Sequence, residues 1–244
     1  QDEGDCYNRE HTYPKSWWGG PSNVPMYTDV FAVVPADGWI NAVRGNFPYG
    51  EVLAGSETQS TDNGGRRGAS ARSTPGYSGQ VFEPIDAYKG DFARGYFYLA
   101  TRYENLIAGW ENFTTESDAV LAGNAYPAFE PWVVDMLLDW HRSDPVSQKE
   151  IDRNEAIFAI QNNRNPFIDH PEYVALIWEN CGNDNGGSVL LSEGDFESGW
   201  EGWQDGGGDC ARYSGSYSPE GNYSIRLRDN SGTASAMTSP NIDL

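Results

Sequence analysis

Basic side chains are scarce in this chain: 16 Lys and Arg stand against 36 Asp and Glu, a formal net charge of -20 over 244 residues. Phosphate backbones are normally gripped by clustered cations, so this balance argues against a nucleic-acid binder of the basic-patch kind. Cysteine is scarce too. Cys6, Cys181 and Cys210 are too few for a disulfide scaffold and lack the spacing of a zinc site. One pair with one thiol left over is the simplest count, and all three pairings stay open. No apolar run approaches the ~20 residues that a membrane helix needs. No signal peptide is read at the front, where Gln1 opens a polar, acidic segment, so an exported form is expected to be a processed one.

Aromatic residues are plentiful, with nine Trp and fourteen Tyr, which suits a compact domain rather than a disordered chain. The length fits one large domain, or a medium domain with an appendage. The acidity is uneven. Residues 1–102 hold nine basic and twelve acidic side chains, residues 103–184 four and fifteen, and residues 185–244 three and nine. The first segment is therefore close to balanced.

That segment contains NREHTYPKSWWGG, residues 8–20, which sets Glu10 beside His11 with Arg9 and Lys15 near them. In an extended segment adjacent side chains face opposite ways, so one could hold a hard cation while the other moves a proton. Imidazole is the side chain best poised as a base near neutral pH, and a carboxylate suits an oxygen-seeking ion such as magnesium. Taken alone, the run reads rather as a solvated loop.

Downstream, Thr28 as N-cap and Asp29 in a first turn predict a short helix over 29–34, ended by Pro35, with Ala32 on it. After Gly38, residues 39–44 predict one or two further turns that set Asn41 and Arg44 on one face. Arg44 is the expected anion contact there. Residues 55–79, rich in Ser, Thr and Gly, predict a long loop carrying Arg66, Arg67 and Arg72. Helical spacing marks 91–103, and Pro131 opens another helix. Ser147 and Glu150 form a capping box for a helix through Ile160 that carries Ile151, Ile157 and Phe158. The Asn-rich turn around Arg164 then breaks that helix, and Asn162, Asn163 and Asn165 read as braces. His141 and His170 read as structural, the latter at the start of a last helix to Trp178.

With TDVFAVVPADGWINAVRGNFPYGEV, KGDFARGYFYLATRY and the 139–178 segment added to NREHTYPKSWWGG, residues 6–180 resemble the bacterial endonuclease I family of secreted or periplasmic nucleases. The resemblance implies an α+β fold of the ββα-metal, or His-Me finger, group. It also implies hydrolysis of DNA and RNA with little sequence preference, dependent on Mg2+, Mn2+ or Ca2+. By it, His11 is the general base, Glu10 and Asn41 hold the metal, and Arg44 or Arg164 steadies the phosphate. Arg9, Lys15 and Asn46 become candidates for substrate contact. Two departures stand out. Relatives carry segments such as DLHHLFP or DMHNLQP, with His or Asn where this chain has Ala32, so turnover is expected to be impaired. Relatives also have a largely helical segment before NREH, where seven residues precede Asn8 here. A non-catalytic, nuclease-derived structural or binding protein is the alternative.

After the nuclease-like residues 1–182, residues 183–187 read as a linker and 188–244 as short strands between Gly, Ser and Asn turns. This last part resembles a piece of the jelly-roll modules found on secreted bacterial enzymes, and implies a glycan or cell-surface partner. Asp195, Glu197, Asp205 and Asp209 are candidate calcium ligands, or simply turn residues.

Overall fold

A computed structural model describes residues 2–72, 76–179, 200, 204–205, 210–214, 223–227 and 237–238. The chain divides into two units, Gln1–Asp184 and Asn185–Leu244. The first is α+β and begins with a strand pair. Strand β1 (Tyr7–His11) runs antiparallel to β2 (Val33–Asp37), from Tyr7 opposite Asp37 to His11 opposite Val33. A short helix α1 (Pro25–Thr28) lies in the connection, and α2 (Gly38–Arg44) follows β2 directly.

Asp37 starts α2: its Oδ1 accepts from the N–H groups of Trp39 at 2.9 Å and Ile40 at 3.1 Å. Those bonds, with one from Gly4, hold its carboxyl below the usual carboxylate range, Ile40 contributing most.

The helix expected over 29–34 is absent. Asp29 instead accepts from the N–H of Phe31 at 3.0 Å, a local turn, and Val33 to Asp37 pair with β1. β-branched Val33 and Val34 favour that pairing, and Pro35 is tolerated because a two-stranded sheet consists only of edges. The loop expected over 55–79 is also corrected. It contains β3 (Gln59–Ser60) and β4 (Arg66–Ala69), which join β5 (Gln80–Glu83) in an antiparallel sheet of order β3-β4-β5. Its arginines are tied down: Arg66 to Glu83, Arg67 to the Val43 carbonyl, Arg72 to Glu51 and Asp139.

The helical half is built on α3 (Lys89–Arg102), which packs along α6 (Pro131–Ser143). Tyr96, Phe97 and Leu99 of α3 are buried with Met136, Leu137 and Trp140 of α6. Gly90 permits the start of α3 to approach the chain after α6, since a Cβ there would run into the Asp144 carbonyl oxygen. Short α4 (Glu104–Ile107) and α5 (Thr115–Asp118) lie between them in sequence.

The capping box of α7 (Gln148–Gln161) is present, but Ile157 is buried while Ile151, Phe158 and Ile160 are exposed. Polar side chains anchor this helix instead. Glu150 receives Arg94 Nε at 2.6 Å and Nη2 at 2.7 Å, and Asn154 reaches Asp169 at 3.0 Å. Helices α8 (Pro166–Asp169) and α9 (Glu172–Trp178) close the unit, Phe167 and Trp178 packing on Phe97.

In the second unit, β6 (Gln204–Asp205) pairs with β9 (Met237–Thr238), and β7 (Cys210–Ser214) with β8 (Tyr223–Leu227), both antiparallel. The calcium candidates Asp195, Glu197 and Asp209 lie outside the described residues, as do Cys181 and the side chains of Asp205 and Cys210. Among the described residues no helix is long and apolar enough to cross a membrane.

Candidate active site

Alternation along β1 separates the two residues at its end. Glu10 turns inward, 6 % exposed, while Tyr7 and Arg9 on the other face are open to solvent. Beneath Glu10 lies Arg44 from the last turn of α2. Its Nη1 donates to Glu10 Oε1 at 2.9 Å and to the His11 carbonyl at 3.1 Å, and its Nη2 to the Thr12 carbonyl at 2.7 Å. The guanidinium rests on the Tyr49 ring, 4.5 Å from its centroid. Arg44 thus braces the strand end from inside, 2 % exposed, rather than facing solvent as a phosphate contact would. Burial pushes the Glu10 carboxyl above the usual range, against the charge and hydrogen bond of Arg44.

Asn41, one turn earlier on α2, lines the same cavity of about 260 Å³ as Glu10, Arg44 and Tyr49. Its Nδ2 donates to the Arg9 carbonyl at 3.3 Å, so the amide is oriented by its nitrogen and its oxygen remains available. No other described donor is placed on Glu10 Oε2. One carboxylate oxygen and one amide oxygen therefore line one cavity, a donor set that fits a hard, largely hydrated divalent cation. Among the described residues no cluster of three or more His, Cys, Asp or Glu offers an all-protein cage.

His11 has different company. Its Nε2 lies 3.0 Å from the Tyr27 carbonyl oxygen, and its ring stacks on Tyr27 at 5.0 Å and meets Trp18 edge-on at 5.9 Å. A carbonyl only accepts, so Nε2 carries a proton and donates it to Tyr27, leaving Nδ1 outside that bond. Lys15 places its ammonium 5.6 Å from the Tyr27 ring centroid. Arg9, Lys15 and Asn46 are all exposed. Arg164 is engaged elsewhere, bidentate to Asp169 at 2.7 Å and 3.0 Å from Glu155. None of its partners belongs to the groups around Glu10 or His11.

Ala32 stands one rung beyond His11 and Val33. Its carbonyl accepts from Thr12 N at 2.9 Å and Oγ1 at 3.1 Å, and its methyl group is wholly buried in the core.

Several supports have no signature in the sequence. Asp29 is a buried hub: Tyr98 and Tyr103 each donate a hydroxyl to Oδ2 at 2.8 Å, and Gln161 donates to Oδ1 at 3.0 Å. Burial, with the Asp29 charge adding, pushes both phenols far up. Arg153 donates to the carbonyls of Val30 and Val33. Tyr27 is the other omission. A stacked ring and a backbone acceptor sixteen residues from His11 leave no local pattern to read.

Taken together, a two-strand hairpin and a following helix set Glu10 and Asn41 on one cavity, with the His11 imidazole next along the strand. His11 faces away from that cavity and is not among the residues lining it, so the carboxylate and the imidazole serve opposite faces of β1. The chain belongs to the Endonuclease I family, whose model matches residues 1–172. It is similar to the extracellular ribonuclease of Bacillus subtilis (strain 168), 38% identical over 175 residues, covering 70% of this chain and 54% of that protein. It is similar also to the extracellular ribonuclease of Bacillus amyloliquefaciens, 36% identical over 187 residues with the same coverage. Endonuclease-1 of Buchnera aphidicola subsp. Acyrthosiphon pisum is 26% identical over 141 residues, 58% of this chain and 44% of that protein. The chain spans about half the length of these curated relatives.

Proposed function

We propose that this protein is a secreted bacterial endonuclease that hydrolyses phosphodiester bonds of DNA and RNA with little sequence preference, dependent on a divalent cation such as Mg2+. The observation that carries the reading is the convergence of Glu10 and Asn41 on one cavity, with His11 the next residue along the strand and its Nε2 committed to a backbone carbonyl. Membership of the Endonuclease I family and the relatives named extracellular ribonuclease support it.

Glu10 Oε2 and Asn41 Oδ1 would hold the cation, which when bound supplies positive charge for the scissile phosphate and the departing oxygen. His11 Nδ1 accepts the proton of the attacking water, and the Tyr27 carbonyl steadies the imidazolium that forms. Arg44 fixes the Glu10 carboxylate and the backbone of residues 11 and 12. Attack on the side opposite the 3' oxygen leaves the phosphate on the 5' end.

The proposal includes lowered turnover from Ala32, which brings no polar group to its position. The buried methyl group means that a polar residue there would act from behind the hairpin, through the strand of Glu10 and Thr12, rather than on the phosphate.

The test is nicking of supercoiled plasmid and cleavage of an RNA oligomer with Mg2+, against EDTA controls. Cleavage abolished by EDTA and reduced about 10²- to 10⁴-fold in His11→Ala is expected. Absence of cleavage in the parent chain and in Ala32→Asn alike, with both folded, would leave a non-catalytic binding protein in its place.

A further inference from the structure

In so acidic a chain the uncommitted cations are informative. Among the Arg and Lys side chains described, those of Arg9, Lys15 and Arg102 make neither a hydrogen bond nor an ion pair. Most of the others are tied to carboxylates or carbonyls; Arg66, Lys89 and Arg142 are examples. Two of the three uncommitted cations flank His11 in sequence.

They also share its surface. Tyr7, Arg9 and His11 alternate along β1 and so line one face, successive members about 6.5 Å apart. Tyr7 is 79 % exposed although it is a large aromatic ring. Past His11 the row continues through the Tyr27 ring stacked on it and the Lys15 ammonium above that ring. The order is aromatic, cation, base, aromatic, cation. In the chain before Tyr7, Asp2 and Asp5 are exposed carboxylates, which repel a phosphate.

A row of this composition matches a single strand, whose phosphates need cations and whose unpaired bases have faces free to stack on aromatic rings. A duplex keeps its bases stacked on one another and leaves Tyr7 without that partner. We propose that Tyr7, Arg9 and Lys15 form a short track that holds a single-stranded polynucleotide across His11, so that unpaired strands are preferred to duplex. Tyr7 stacks a base, while Arg9 and Lys15 contact phosphates on either side of the scissile one. The inference rests on the nuclease reading above and deepens it.

The experiment uses the full chain with EDTA present, so that binding is read without cleavage. A fluorescein-labelled twelve-residue oligothymidylate and its duplex with oligoadenylate are titrated by anisotropy at several salt concentrations. The single strand is expected to bind more tightly. Tyr7→Ala should weaken it by about five- to a hundredfold and leave duplex binding nearly unchanged. Arg9→Gln should make the fall of log affinity with log salt shallower by about 0.7. Equal affinity for both forms, or parent-like binding in both variants, overturns the track. Single-strand binding that responds to both variants, without cleavage when Mg2+ is restored, leaves the track standing and removes the nuclease reading.

Discussion

Asp91, in the first turn of α3, has Lys149 Nζ at 2.5 Å and Arg94 Nη2 at 3.8 Å. Burial nevertheless pushes its carboxyl up to about 6, the ammonium opposing and neighbouring Glu150 adding to the rise. A carboxyl raised above its unfolded value of about 3.9 contributes stability below that pH and loses it as pH climbs through the folded value. Asp91→Asn is therefore expected to melt at a higher temperature than the parent at pH 7.5 and to match it near pH 3.5. Thermal melts at both pH values check this; a parent more stable at pH 7.5 counts against it.

Ala32 calls for a different argument at the same scale. With its methyl enclosed in the core, Ala32→His inserts volume and a ring nitrogen in need of a partner, at a cost of about 1–3 kcal/mol. Urea unfolding should show that loss whatever happens to turnover.

Among the elements, α7 is the clearest case of a helix positioned by charge. Arg94 is fully buried and Glu150 3 % exposed, and the same Glu150 Oε2 that receives Arg94 also caps the helix from Ser147 N at 2.9 Å. Glu150→Gln removes a buried counter-ion and weakens the cap, and is expected to lower stability by about 3–5 kcal/mol. The denaturant midpoint should fall with little change in slope.

The capping box itself was legible, because SxxE is a local pattern. Arg94 as its partner was not, since it lies 56 positions earlier in the chain. The same contrast explains the hairpin. Glu10 and His11 stand out by residue type, Asn41 only through the resemblance to the endonuclease I family, and the turns of α2 follow from Gly38 and the helical spacing. Val33 and Val34, the start of β2, read as helix in the sequence because Thr28 and Asp29 mimic a helix start, while what decides their conformation is pairing with β1 more than twenty residues earlier. The sheet β3-β4-β5 stayed hidden for the same reason: Gly and Ser content looks like loop until Gln80–Glu83 supplies the partner strand. Arg44 was found by type, but its burial depends on Tyr49 and the strand above it.

For the molecule as a whole, every residue of the candidate site lies in the first unit, Gln1–Asp184, which holds thirteen basic and twenty-seven acidic side chains. Residues 185–244 add nine acidic against three basic. A chain ending at Asp184 is thus expected to retain metal-dependent cleavage and, with net charge reduced from -20 to -14, to associate faster with polynucleotide at low ionic strength. Stopped-flow binding at about 10 mM and about 150 mM salt tests this, and the difference between the two chains should shrink at the higher salt as screening shortens the field.

The clamp on Asp29 has a consequence in time. The turn that leads into β2 is held by Tyr98 of α3 and Tyr103 just after it, and by Arg153 and Gln161 from α7, the last of these 132 residues further along the chain. A chain leaving the ribosome has made Glu10, His11 and Asn41 long before it has made Gln161. The hairpin that carries them gains its full set of anchors only when the first unit is nearly synthesised, so the nascent polypeptide lacks a finished site while it is still beside the messenger RNA that encodes it.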